Sequence, residues 1–330
     1  KKLLIILLAF IVITFNVKIV PAKALEVNSS GNLEASSNSE DEDIPLIKLS
    51  FSTSTNDDFS KIIGGSLSES DIHLNIPNIV SNKPVGAIGD NAFINNRNII
   101  SARIPNTVKY IGAGAFLSCE NLEKVNMPES LETIGQSAFQ ATNISKVTFP
   151  ETLVSIGCVA FGETPIESIT IPASTTDIDG AAFAGSNLKE IKVAEGNEKY
   201  ISENQMILTK DKSTIVCCAP TVTEPIFDSK CTVIGNNSFA LSKIFTLNIP
   251  NRIKEIGISA FQGCESLSSV VLPKDLTEIK EQTFSGCDNL TSIVIPDTVK
   301  SIADDAFKYS DKVTIIASDE SYAHKYANEK

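Results

Sequence analysis

Apolar positions recur along this chain in one phrase that repeats every 22 or 23 residues. An Ile-(Gly)-x-x-Ala-Phe-like run ends at Phe93, Phe116, Phe139, Phe161, Phe183, Phe239, Phe261, Phe284 and Phe307. A Leu or Ile, then a Val or Ile, then an apolar-Pro pair follow about 6, 9 and 11 residues later. A period in the twenties marks stacked units, each too small to bury its own apolar face. In the unit Ile104 to Pro128 the apolar positions are Val108, Ile111, Ala115, Phe116, Leu122, Val125 and Met127. Val125 and Met127 are two apart, so a short strand there turns both inward and turns Lys124 and Asn126 outward. Pro128 ends the strand because it has no N–H to donate to a ladder. Gly89, Gly112, Gly135, Gly157, Gly235 and Gly257 mark a turn. Asp179, Lys280 and Ala303 take the same place elsewhere, so glycine is expected to be dispensable there. The pattern predicts a β-rich α/β solenoid of about nine units, with the phenylalanines in one buried column and the Val and Ile residues in another.

The period breaks in three places. Between Phe183 and Phe239 two strand-like runs, Met206 to Leu208 and Ile215 to Cys218, flank a polar turn, which predicts a β-hairpin inserted over 194–225. Residues 25–58 are rich in Ser and Asn and carry the acidic run Glu40 to Asp43, as a flexible linker would. The polar end, residues 321–330, reads as a short helical cap on the last unit of a solenoid spanning 59–320. Before all of these, Lys1-Lys2, an apolar run from Leu3 to Phe15 and Ala22-Lys23-Ala24 have the form of a cleavable signal peptide over residues 1–24. The apolar run falls short of the roughly 18 residues of a spanning helix. The alternative reading of that segment is an uncleaved anchor.

Charge and chemistry narrow the function more than they define it. A net charge of −12 repels phosphate backbones and anionic lipid, which argues against nucleic-acid and membrane-surface binding. No metal, cofactor or catalytic role is expected. The chain has only two histidines, His73 and His324, and lacks a P-loop, a dinucleotide fingerprint and a G-x-S-x-G motif. It has no Trp and five Tyr, too few aromatic platforms for stacking on sugars. Of seven cysteines, Cys119, Cys264 and Cys287 fall three residues after a repeat Phe, a spacing that predicts one shared small, buried slot. A disulfide from Cys231 to Cys217 or Cys218 stays open as an alternative.

Leu122-x-x-Val125-x-Met127, and above all Ile256-Gly-Ile-Ser-Ala-Phe-Gln-Gly-Cys-Glu-Ser-Leu267-Ser-Ser-Val-Val-Leu-Pro273, resemble the bacterial BspA-like leucine-rich repeats, also called the TpLRR type. The resemblance covers about residues 59–330 and implies a leucine-rich repeat solenoid on an exported surface protein without shared catalytic residues. It also implies adhesion through protein–protein contact, with an extracellular protein ligand. The alternative is a structural spacer or accessory module of a larger wall-associated protein. The strand face turned away from the core is the expected binding surface. Its candidate residues are Arg103, Lys124, Asn126, Lys146, Thr148 and Lys192 in the N-terminal half. Asn248, Val271 and Val294 follow in the C-terminal half.

Overall fold

A computed structural model of the chain describes residues 48–53, 59–66 and 72–329, all within the compact unit Ile47–Lys330. The expected signal peptide, and the expected linker as far as residue 47, lie outside the described residues. The chain winds into a β-solenoid of about 11 turns. The helix Tyr322–Glu329, where the sequence places a cap, packs on the last turn. The turns beyond the nine expected lack the Phe phrase. One is built from Ser60–Ser66 and Ile72–Asn75, the other from the insertion. Lys48–Thr53, expected inside the linker, is a strand paired antiparallel to Ser60–Ser66. The alternation of Leu49 and Phe51 with Ser and Thr is the strand signal that the Ser-rich composition hides.

Each regular turn except that of Phe139 supplies two short strands separated by the Ala-Phe corner. The first set stacks in parallel through Tyr110–Ile111, Thr133–Ile134, Ser155–Ile156 and Asp177–Ile178, one Ile above the next. The second set carries the outward residues. It forms a sheet of Ile72–Asn75, Ile99–Arg103 and Lys124–Val125, then a pair of Ser168–Ile171 and Glu190–Val193, then a sheet from Thr246–Asn248 to Thr314–Ile316.

The corner works through a repeated backbone device. Residues two after the Phe, and in all but the Phe183 and Phe307 turns those two before it, take left-handed φ, as at Asn91 and Asn95 or Ser137 and Ala141. A non-glycine residue there is disfavoured by roughly 1–2 kcal/mol. Coil-to-coil hydrogen bonds offset this: the N–H groups of Asn91, Phe93 and Asn95 donate to the carbonyls of Ala113, Ala115 and Leu117 at 2.8, 2.8 and 2.7 Å. The rings inside the corner stack. Neighbouring centroids lie 5.2 Å apart for Phe93–Phe116 and 5.3 Å for both Phe116–Phe139 and Phe139–Phe161. The column resumes from Phe239 to Phe307.

The turn glycines serve a different need from the one their dispensability suggests. Gly112, Gly135 and Gly157 do not adopt left-handed φ. A Cβ on Gly135 would lie 2.6 Å from the Ala113 nitrogen and 2.7 Å from the Gly112 carbonyl carbon of the coil beneath. Glycine is therefore required along this run by close approach of backbones.

The insertion is a three-stranded antiparallel meander, Tyr200–Glu203, Met206–Thr209 and Thr214–Cys218, one strand more than the expected hairpin. Its last strand also runs parallel to Val233–Ile234 and so joins the solenoid ladder. Met206, Ile207 and Leu208 are all buried. Ile207 packs with the core that runs from Ile62 to Leu188, while Met206 and Leu208 pack with the core from Phe239 to Ala306. The meander is a septum with one core on each face.

Candidate functional site

Outward residues of the second strand set line up because parallel register places Ser101 beside Lys124, and Asn248, Val271, Val294 and Ile316 in one row. Arg103, Lys124, Asn126, Lys146, Thr148, Lys192, Asn248, Val271 and Val294 are all exposed. The structure divides them into two groups with different chemistry.

In the N-terminal half an open groove of about 1570 Å³ is lined by Arg103, Lys124 and Lys146, with Asn126, Ser145 and Ile79 around them. Among the described residues no carboxylate pairs with any of these three cations. Other basic side chains are neutralised: Lys192 by Glu190 at 2.7 Å, Lys189 by Glu167 at 2.6 Å, Arg97 by Glu120 at 2.6 Å and Lys109 by Glu132 at 2.8 Å. Lys192 thus stands apart from the basic set. Asn126 does too, because both ends of its amide are engaged. Its Oδ1 accepts from the Ile104 N–H and its Nδ2 donates to the Ile104 carbonyl, each at 2.8 Å.

That amide clamp sits where the sheet stops. Among the described residues Lys124–Val125 pairs with Ile99–Arg103 alone, and the stretch from Ser145 to Phe149, which includes Lys146 and Thr148, is not a strand. Among the described residues no backbone N–H or C=O of residues 143–149 makes a backbone hydrogen bond. The inward positions here, Val125, Met127 and Val147, are only partly buried, whereas Ile169, Ile191 and Val270 in the paired regions are buried.

In the C-terminal half the row is apolar. Val271, Val294 and Ile316 keep 42%, 37% and 50% of their surface exposed, and Phe245 nearby keeps 62%. Ile316 and Phe245 were not among the residues expected from the sequence. Aligning strands on the apolar-Pro pair passes over the last strand, which has no proline, although its Thr-Ile-Ile run shows the same alternation.

Groups that could do chemistry are placed against it. The His73 Nδ1 lies 2.8 Å from the Ser101 Oγ as a cross-strand pair, and among the described residues no carboxylate orients the ring. All seven cysteines are free, so the alternative of a disulfide at Cys231 is not what the structure contains. Cys119, Cys264 and Cys287 fill the expected buried slot and also donate to the carbonyls of Phe93, Phe239 and Phe261 at 3.0, 3.1 and 3.3 Å. Burial pushes the Cys119 thiol up to about 12 and that of Cys264 to about 11. Cys158, beside a cleft that also holds Asp179, is held protonated by burial and by that carboxylate. A protonated thiol is a poor nucleophile. No cluster of His, Cys, Asp and Glu among the described residues could hold a metal, and no helix among them is long and apolar enough to cross a membrane.

The BspA type leucine rich repeat region matches in six copies over residues 75–206 and 217–325. No curated protein matches. Several solved structures are similar. A leucine-rich repeat protein from Eubacterium ventriosum is 22% identical, with 80% of this chain and 81% of that one covered and a TM-score of 0.58. The pneumococcal vaccine antigen PcpA is 20% identical, with 82% and 80% covered and a TM-score of 0.61. A leucine-rich repeat protein from Bacteroides ovatus is 25% identical, with 82% and 80% covered and a TM-score of 0.51.

Proposed function

Because the chain belongs to the BspA-type leucine-rich repeat family, we propose that it is an exported protein-binding solenoid that mediates adhesion at the cell surface, engaging extracellular proteins through its outward strand face. The observation that carries this reading is the set Arg103, Lys124 and Lys146, unpaired among the described residues on a chain of net charge −12. Holding like charges near one another is unfavourable unless an acidic partner meets them, and such a patch steers its partner's approach. The exposed row of Val271, Val294 and Ile316 supplies the apolar contact that affinity requires. Backbone strands hold Arg103, Lys124 and the apolar row, so binding there proceeds with little rearrangement. The leader-like residues 1–24 support export, and similarity of fold to a pneumococcal vaccine antigen is consistent with surface display.

The test is binding of residues 25–330 to a panel of extracellular-matrix and bacterial-surface proteins at low and physiological salt. Saturable binding to at least one protein is expected, lost in a folded variant carrying Lys124→Glu, Lys146→Glu, Val271→Asp and Val294→Asp. Binding that survives all four changes would place the surface elsewhere. An absence of binding across the panel by folded protein would favour a structural spacer.

A further inference from the structure

We propose that the groove beside the interrupted sheet, lined by Lys124, Val125, Asn143, Ser145 and Lys146, is a slot for an extended peptide segment carrying alternating acidic and apolar side chains. This inference rests on the protein-binding reading and assigns the partner's chemistry at one part of the face.

The interruption combines three features. The backbone polar groups of residues 143–149 lack backbone partners among the described residues, and Asn143, Ser145, Lys146 and Thr148 are exposed. An extended chain offers the alternating donors and acceptors that such a backbone lacks. The floor is partly apolar: Ile79 and Val125 line the groove, and Ile79 keeps 62% of its surface exposed. Alternate side chains of an extended segment point to one face and would close over this floor. The rim is cationic, with Arg103, Lys124 and Lys146 opposed in the lining by Glu123 alone.

A sulfated glycan is the other anionic ligand to weigh, and the same features disfavour it. It brings many acceptors and few donors, so the free carbonyls would stay unmatched. It carries no apolar side chains for Ile79 and Val125. Three cations do not compensate for the repulsion between a dense polyanion and a chain of net charge −12.

The probe is a fluorescein-labelled ten-residue peptide alternating Glu with Val, titrated with the folded chain and read by anisotropy. Saturable binding is expected, weakened about tenfold or more by Lys124→Glu with Lys146→Glu. Weakening of several-fold is expected when alternate peptide nitrogens are methylated. A charge reversal away from the strand face, Lys300→Glu, should leave it unchanged. No saturable binding, equal binding by the charge-reversed variant, equal binding of the methylated peptide, or a heparin fragment that outcompetes the peptide at equal charge would each overturn the proposal. A panel protein whose binding depends on Val271 and Val294 but not on Lys124 and Lys146 would leave the protein-binding reading standing while this one fails.

Discussion

Phe139 sits between two stacked neighbours, Phe116 and Phe161, at 5.3 Å from each, and is fully buried. Phe139→Ala should therefore cost about 3–5 kcal/mol, read as a fall in the urea midpoint. Gly135→Ala is smaller in volume yet acts against rigid backbone. The clash with Ala113 and Gly112 predicts a clear loss of melting temperature, where Ala303→Gly, at the equivalent place, should lose little. At Asp179 the effect depends on pH. Burial, more than any other influence, raises its carboxyl above the ordinary range, while hydrogen bonds from Ala181, Cys158 and Asn237 and the nearby charge of Asp177 act in lesser measure. A raised folded value means that protonation favours folding, so the penalty appears as pH rises from the ordinary carboxylate range through the raised value. Asp179→Asn should melt higher than the parent at pH 7, and the gain should shrink as pH falls towards 4. A gain that is constant over that range would show that the charge is not its source. The Phe column and the thiol slot could be read from spacing because each is a repeated position in a repeated environment. The need for glycine at 135 could not, because it arises from the coil beneath, and sequence shows only which residues are present.

At the scale of elements, strands are set by the inward Val, Ile and Leu, but where the sheet breaks is set by outward polar groups. Asn126 is the instructive case. Its position, two residues after Lys124, reads as a free outward side chain, and it is exposed. Its amide nevertheless occupies both polar groups of Ile104, as a neighbouring strand would. Asn126→Ala should remove two hydrogen bonds and destabilise by about 1–3 kcal/mol. Amide exchange at Ile104 should rise with it; unchanged exchange would mean that the clamp is not what protects that N–H. Alternation predicted the outward direction of all nine candidate residues. It could not predict that Asn126 is engaged by the Ile104 backbone, which belongs to the neighbouring coil, whereas Glu190, two residues before Lys192 on the same strand face, was in plain view as its partner.

The described residues form two cores, and the meander lies between them, with Val222 packed against both. Met206-Ile207-Leu208 is a continuous apolar run, the mark of a strand buried on both faces. Read as half of a hairpin, the run predicts the strand but not the second face, because the long gap between Phe183 and Phe239 suggests an outgrowth instead of a septum. In a solenoid stability is close to a sum of units and of the interfaces between neighbours, so a septum is where cooperativity can fail. Ile207 belongs to the N-terminal core and Leu208 to the C-terminal one. Each truncated to alanine should cost about 2–5 kcal/mol. The consequences should fall on opposite sides. Hydrogen exchange in Ile207→Ala should accelerate mainly between Ile99 and Val193. In Leu208→Ala it should accelerate mainly between Val233 and Ile316. If instead both variants accelerate exchange uniformly along the chain, the two cores unfold as one unit and the septum transmits stability fully. The same pair of variants thus measures how strongly the groove of the N-terminal half and the apolar row of the C-terminal half are coupled.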